Sequence, residues 1–350
     1  MSSTTAERRS LVTDHFGEWA AEIDRGDRDV RSGLRVLGEH GLLDLGAGQE
    51  SRSALPDMVE LIRDVAAECL SSAFSLWAHR MVIEYVARGR RTAATDDLAA
   101  SLAGGEVIGS TAMAPALRDV AGIEPVPIVA TRTATGLRLR GKISWASNLF
   151  PDALVAVPVR FEAGGRAVVL IRTTDPGVRV HPAPELLALN ATASSSVALD
   201  EVEVPGDAVL TEDLGGFVTA FRPTFLLLQT AFCSGLADRS LAEARPRTTG
   251  FNEELAAQAD DLSAEAESVR RRLFGFASGS AGEPTVADLL RLRLDGAQAA
   301  VRATRLEATV RGGAGYLAAG ATSRRLREAA FLPIQAPTEG ELRWALSRAG

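Results

Sequence analysis

The stretch GKISWASNLFPDALVAV, residues 141–157, gathers side chains suited to holding a small molecule. Trp145 offers a rigid, flat face, and Ser147 and Asn148 follow it with hydrogen-bonding groups. Gly141, Asn148 and Pro151–Asp152 carry turn chemistry, so the patch falls between two strand-like runs. Such a corner can hold a flat ligand or can be an ordinary turn, and the stretch leaves both open. Lys142, the only lysine of the chain, lies inside it.

Other reactive side chains are sparse. Cys69 and Cys233 sit in apolar, helix-like surroundings and read as small buried residues rather than a disulfide or a nucleophile. His15, His40, His79 and His181 are isolated; His79, in LWAHRMVIEY, follows an apolar helical run and reads as a polar-tipped core or interface residue. No HxxxH or CxxC spacing occurs, so no metal site is expected. A net charge of −7 supplies no basic face for nucleic acid or an anionic membrane. The N-terminus leads into no apolar signal region, and no apolar run reaches about 18 residues. A cytoplasmic protein is the expectation.

The elements that must position these residues come in three blocks. Residues 1–105 carry helical periodicity: Val30, Leu34, Leu37 and Leu42 share a face, and Pro56–Gly89 shows one longer pattern. Residues 106–210 change texture. Short runs such as GLRLRGK, ALVAVPVRF, RAVVLIR and SSVALDEVEVP are bounded by Gly, Pro or Asp, as in an antiparallel β-domain. No GxGxxG follows a strand, so a dinucleotide-binding Rossmann unit has no support. Residues 211–350 return to helices, at Arg222–Ala244, Asn252–Phe276, Thr285–Arg311 and Ala319–Ala330, with a Gly- and Ser-rich loop at Gly275–Pro284. The predicted architecture is α+β: an N-terminal helical domain, a central antiparallel β-barrel or sandwich, and a C-terminal helical bundle.

With these residues in this order, the chain resembles the acyl-CoA dehydrogenase superfamily along nearly its whole length. Gly141, Lys142, Trp145, Ser147, Asn148 and Asp152 fall in register with the family's G-x-K-x-W-I-[ST]-N segment and the aspartate beyond it, with Ala146 in the isoleucine slot. TASSSVALDEVEVP, residues 192–205, is similar to the element that closes the family's β-domain. RGGAGYLAAGATSRRLREAA, residues 311–330, and RPTFLLLQTAFCSGLADRSL, residues 222–241, resemble two segments of its helical bundle. The resemblance implies FAD, with Trp145 as a wall for the isoalloxazine and Ser147 as a hydrogen-bond partner near its reactive edge. It further implies cofactor contacts from Asn148, Gly312, Gly313 and Thr338. For Arg324, Arg325 and Arg327 it leaves open a phosphate or subunit contact and a solvated helix face.

The departures bear on function. The family's catalytic glutamate, which removes the α-proton of an acyl thioester, aligns with Ala336. The position that carries it in other members aligns with Phe232. Glu339 and Glu341 lie just beyond the usual slot, either as replacement bases or as surface residues leading a final helix. Met113 and Ala114 stand where a flavin-contacting Thr-Glu pair is usual, and Pro246 ends a helix before the family's pyrophosphate arginine, leaving Arg245 or Arg247 as substitutes. Three readings follow. The first is a flavin-dependent oxidoreductase that dehydrogenates an acyl thioester or related small molecule with a non-standard base. The second is a catalytically incomplete subunit of a hetero-oligomer whose homologous partner completes the site. The third is a monooxygenase of the same fold, using reduced flavin, FMN included. A homo- or hetero-oligomer is expected in each case.

Overall fold

The computed structural model describes residues 3–348; the expected outer domain limits, residues 1 and 350, lie outside them. Six helices come first: α1 (Ser3–Val12), α2 (Glu18–Arg25), α3 (Arg31–Glu39), α4 (Leu55–Glu68), α5 (Leu70–Arg88) and α6 (Ala93–Ala103). The sheet region follows with β1 (Gly109–Thr111), α7 (Ala114–Val120), β2 (Val129–Arg132), β3 (Gly136–Ala146), β4 (Leu154–Phe161), β5 (Arg166–Arg172), β6 (Val178–Val180), β7 (Ser195–Pro205) and β8 (Val209–Thr211). Five helices close the chain: α8 (Leu214–Ala244), α9 (Ala256–Ser278), α10 (Val286–Arg311), α11 (Ala321–Ala329) and α12 (Glu339–Leu346).

The helical pattern of Pro56–Gly89 is two helices, not one. Cys69 adopts an extended conformation (φ −153°, ψ 110°) and separates α4 from α5. The break leaves no periodic trace because every residue of α5 from Leu70 to Val86 is buried; a helix wrapped by protein on all sides has no polar face to mark its phase. α8 begins at Leu214 rather than Arg222, because Asp213 caps it, its carboxylate accepting from Gly216 N at 2.9 Å, and the helix carries Pro223 in its interior. It ends at Ala244, before Pro246, as the proline requires. α8 packs against α4, α5, α9 and α10 and is the axis of the helical part.

The strands form one sheet in the order β6-β7-β3-β2-β4-β5-β8, with β1 beside β4. Pairing is antiparallel except at β4, which runs parallel to both β1 and β2. Leu154 N donates to Ile108 O and Arg160 N to Ile128 O along one edge of β4. Pro158, whose nitrogen faces the same edge, falls in the gap between these two neighbours, where no donor is needed. β1 also packs on α5, so the first helical block and the sheet share one continuous core.

Candidate active site

The corner after β3 is built by a bulge and an asparagine. Ile143 pairs with Val197 of β7 and Ala146 with Ser195, so Ser144 and Trp145 oppose a single residue. The extra residue turns two consecutive side chains outward. The Trp145 indole is consequently 61% exposed at a strand end and open to a ring laid against it.

Asn148 then reverses the chain at φ +61°. It is wholly buried: Nδ2 donates to Ser75 O and Gly109 O, both at 3.0 Å, and Oδ1 accepts from Ser75 Oγ at 2.6 Å. Its backbone N–H donates to Thr192 O at 2.7 Å. Expected as a cofactor contact, the Asn148 side chain instead pins the corner to α5 and β1. Ser110 Oγ adds a bond to Ser147 O at 2.6 Å.

A chain of hydroxyls starts at Ser147, two residues beyond Trp145. Ser147 Oγ lies 2.6 Å from Ser194 Oγ, which lies 2.7 Å from Thr192 Oγ1, which donates to Leu189 O at 2.7 Å. Thr192 and Ser194 are both buried. Thr192 and Ser194 stand in a matched motif, but nothing in their spacing from Ser147 discloses this contact.

The segment after α11 is held rigidly. Arg293, fully buried on α10, donates to Gln335 Oε1 at 2.7 Å, to Leu332 O at 3.2 Å and to Gln229 Oε1 at 3.2 Å. Gln229 Nε2 donates to Ala336 O at 2.9 Å. Ala336 offers no proton acceptor in its side chain. Phe232 is buried in an aromatic cluster with Phe74, Trp77, Phe225 and Phe331, with centroid separations of 4.8–6.2 Å along its contacts. Both candidate carboxylates already have partners. Glu341 accepts from Thr338 N at 2.6 Å in a capping box that opens α12, and it faces Arg118. Glu339 accepts from Arg343 at 2.7 and 2.8 Å and from Gln298 at 3.3 Å. Thr338 Oγ1 accepts from Glu341 N, which leaves its own proton free to donate.

The corner fits a flat ring with a polar edge. The arginines expected to meet a diphosphate already have partners. Arg245 pairs with Asp260, and Arg247 with Glu243. Arg324 donates to Glu68 O at 2.7 Å, Arg325 pairs with buried Glu307, and Arg327 pairs with Asp24. All three arginines of α11 are therefore engaged inside the chain. Gly312 (φ +58°) and Gly313 have open space where a Cβ would stand, so backbone can be approached there. A polar cleft of about 470 Å³ lies elsewhere, lined by Arg9, Glu60, Arg63, Asp238, Glu267, Arg270 and Phe274, and shares no residue with the corner. No helix among the described residues is long and apolar enough to cross a membrane.

No protein-family model matches the chain, and no curated protein does. Solved structures do. A glutaryl-coenzyme A dehydrogenase in complex with glutaryl-CoA superposes with a TM-score of 0.89 at 16% identity, over 99% of this chain and 95% of that one. Butyryl-CoA dehydrogenase from Megasphaera elsdenii gives 0.83 at 18% identity, over 100% and 98%. PigA with FAD and proline gives 0.78 at 17% identity, over 100% and 98%. The chain thus has the acyl-CoA dehydrogenase fold: N-terminal helices, a central β-sheet domain and a C-terminal helical bundle.

Proposed function

We propose that this chain is a flavin-dependent oxidoreductase of the acyl-CoA dehydrogenase type, binding FAD at the Trp145 corner and acting on an acyl thioester or related small molecule. The observation that carries this reading is an indole turned outward by a bulge, with a hydroxyl chain ending at Ser147 two residues further on. FAD, when bound, supplies a two-electron acceptor for hydride from carbon. Trp145 provides the face for its ring and Ser147 a hydrogen-bonding edge. Thr338 has a free hydroxyl proton, and Gly312 and Gly313 offer backbone unobstructed by side chains. Asn148 serves by fixing the corner.

A second reading has its own support. Ala336 and Phe232 cannot accept a proton, and the carboxylates of Glu339 and Glu341 are tied to neighbouring donors. The internal partners of Arg245, Arg247, Arg324, Arg325 and Arg327 likewise occupy the arginines that the resemblance offered to a diphosphate. A homologous subunit that supplies both a base and phosphate contacts would complete the site.

The test is to purify the chain alone and co-expressed with a homologous subunit. Each preparation is titrated with FAD and then mixed anaerobically with a saturated acyl-CoA. Visible flavin absorbance in either preparation is expected, with bleaching by acyl-CoA. Bleaching only in the co-expressed form selects the second reading. Failure of both preparations to bind flavin rejects both readings.

A further inference from the structure

The hydroxyl chain has a direction, and the direction follows from counting protons. Leu189 O can only accept, so its 2.7 Å contact with Thr192 Oγ1 contains the Thr192 proton. The 2.7 Å contact between Thr192 and Ser194 must then contain the Ser194 proton, because two oxygens that close without a hydrogen between them repel. By the same step, the 2.6 Å contact between Ser194 and Ser147 contains the Ser147 proton. Ser147 has no proton left to give. Its remaining capacity is a lone pair, and each donation polarises the next hydroxyl along the chain.

We infer that Ser147 presents itself to a ring lying on Trp145 as a hydrogen-bond acceptor only, and that the corner therefore selects the reduced, dihydro form of a flavin over the oxidised form. The oxidised isoalloxazine has one bare nitrogen in its central ring, the other carrying the ribityl chain; that bare nitrogen is an acceptor and faces the Ser147 lone pair unfavourably. Two-electron reduction puts an N–H there, which donates to it. This rests on the proposed flavin reading and deepens it. Ser147 is the contacting residue; Ser194 and Thr192 are positioning residues that hold its proton away from the ligand.

The experiment measures the dissociation constants of full-length protein for oxidised FAD and for dithionite-reduced FAD under anaerobic conditions, and the midpoint potential of the bound flavin. Reduced FAD is expected to bind at least about tenfold more tightly, which raises the two-electron potential by about 30 mV over free FAD. S194A removes the acceptor of the Ser147 proton. T192V removes the acceptor of the Ser194 proton, which can then turn toward Ser147. Each frees Ser147 to donate, so the preference falls to parity or reverses. S194T keeps a hydroxyl and restores it. A merely structural role would weaken both redox forms in parallel and leave the ratio alone. Equal or tighter binding of oxidised FAD by the wild type overturns the inference while leaving the proposed function standing, and so does an unchanged ratio in folded S194A and T192V. Absence of flavin binding in any form overturns both. The wild-type ratio and potential decide the matter if either variant fails to fold.

Discussion

His79 accepts a hydrogen bond at Nδ1 from the backbone N–H of Gly109 across 2.9 Å, tying α5 to the first residue of β1. That bond fixes the tautomer, because a ring nitrogen that accepts carries no proton; Nε2–H therefore donates to Leu102 O at 3.0 Å. The ring is fully buried, and burial pushes its pKa down from 6.5 to about 4. The unfolded chain takes up this proton first as pH falls. Stability from His79 is complete above pH 6.5, declines as pH falls toward about 4 and levels off below. The loss over that window is on the order of 3 kcal/mol. Urea unfolding of wild type and H79L at pH 7 and pH 4.5 isolates it. The wild type is expected to lose about 2 kcal/mol more than H79L between the two. Equal losses would show that the ring is not held neutral.

Asn148 predicts a second stability effect. N148A leaves Ser75 Oγ, Ser75 O and Gly109 O without their partner in a buried site, and it puts a Cβ residue with no compensating side chain at φ +61°. A destabilisation of about 3 kcal/mol is expected from the stranded polar groups. N148D keeps the shape but loses the Nδ2 donors to two carbonyls, and it is expected to be at least as damaging at pH 7. Chemical denaturation reads both. N148A within about 1 kcal/mol of wild type would remove Asn148 from its anchoring post.

The three-block order was legible because texture changes with burial: runs of β-branched residues bounded by Gly and Pro read as strands without tertiary knowledge. The turn at the Trp145 corner was legible from Gly141, Asn148 and Pro151–Asp152, whereas its reading as a ligand site came from the family resemblance. What type could not tell was how each side chain is used. Asn148 and Ser147 are adjacent and equally polar, yet Asn148 is turned into the core toward Ser75 and Ser147 faces the hydroxyl chain. The contacts that decide this join residues 73 and 47 positions apart. The brace from Arg293 to Gln335 spans 42 positions and belongs to no local pattern. The Cys69 break was hidden for the opposite reason, since the helix beyond it is buried on every face.

Trp145 separates stability from binding. Its indole is mostly exposed on a bulge, so W145A is expected to change unfolding free energy by no more than about 0.5 kcal/mol. Loss of a stacking face is worth about 1.4 kcal/mol, a tenfold rise in the FAD dissociation constant. W145F is expected to fall between wild type and W145A, because a smaller ring keeps part of the contact. Calorimetric titration with FAD gives the affinity, and thermal unfolding gives the control. Wild-type affinity in W145A would move the ligand elsewhere on the molecule.

Ala336 offers a test by gain rather than loss. Its carbonyl is fixed by Gln229, and Arg293 braces the preceding residue, so the backbone is held in place whatever side chain it carries. In the proposed reaction the missing group is a carboxylate that takes an α-proton, and a positioned general base contributes about 10²–10⁴ in rate. A336E is therefore expected to raise the rate of flavin bleaching by a saturated acyl-CoA by about two orders of magnitude. The rate should rise with pH as the new carboxylate ionises. A336Q has the same size without the basicity, and its rate should stay at the wild-type level. If A336E and A336Q behave alike while both bind FAD as the wild type does, the α-carbon does not lie beside residue 336. The base would then have to come from a partner subunit, or the reaction would be one that needs none.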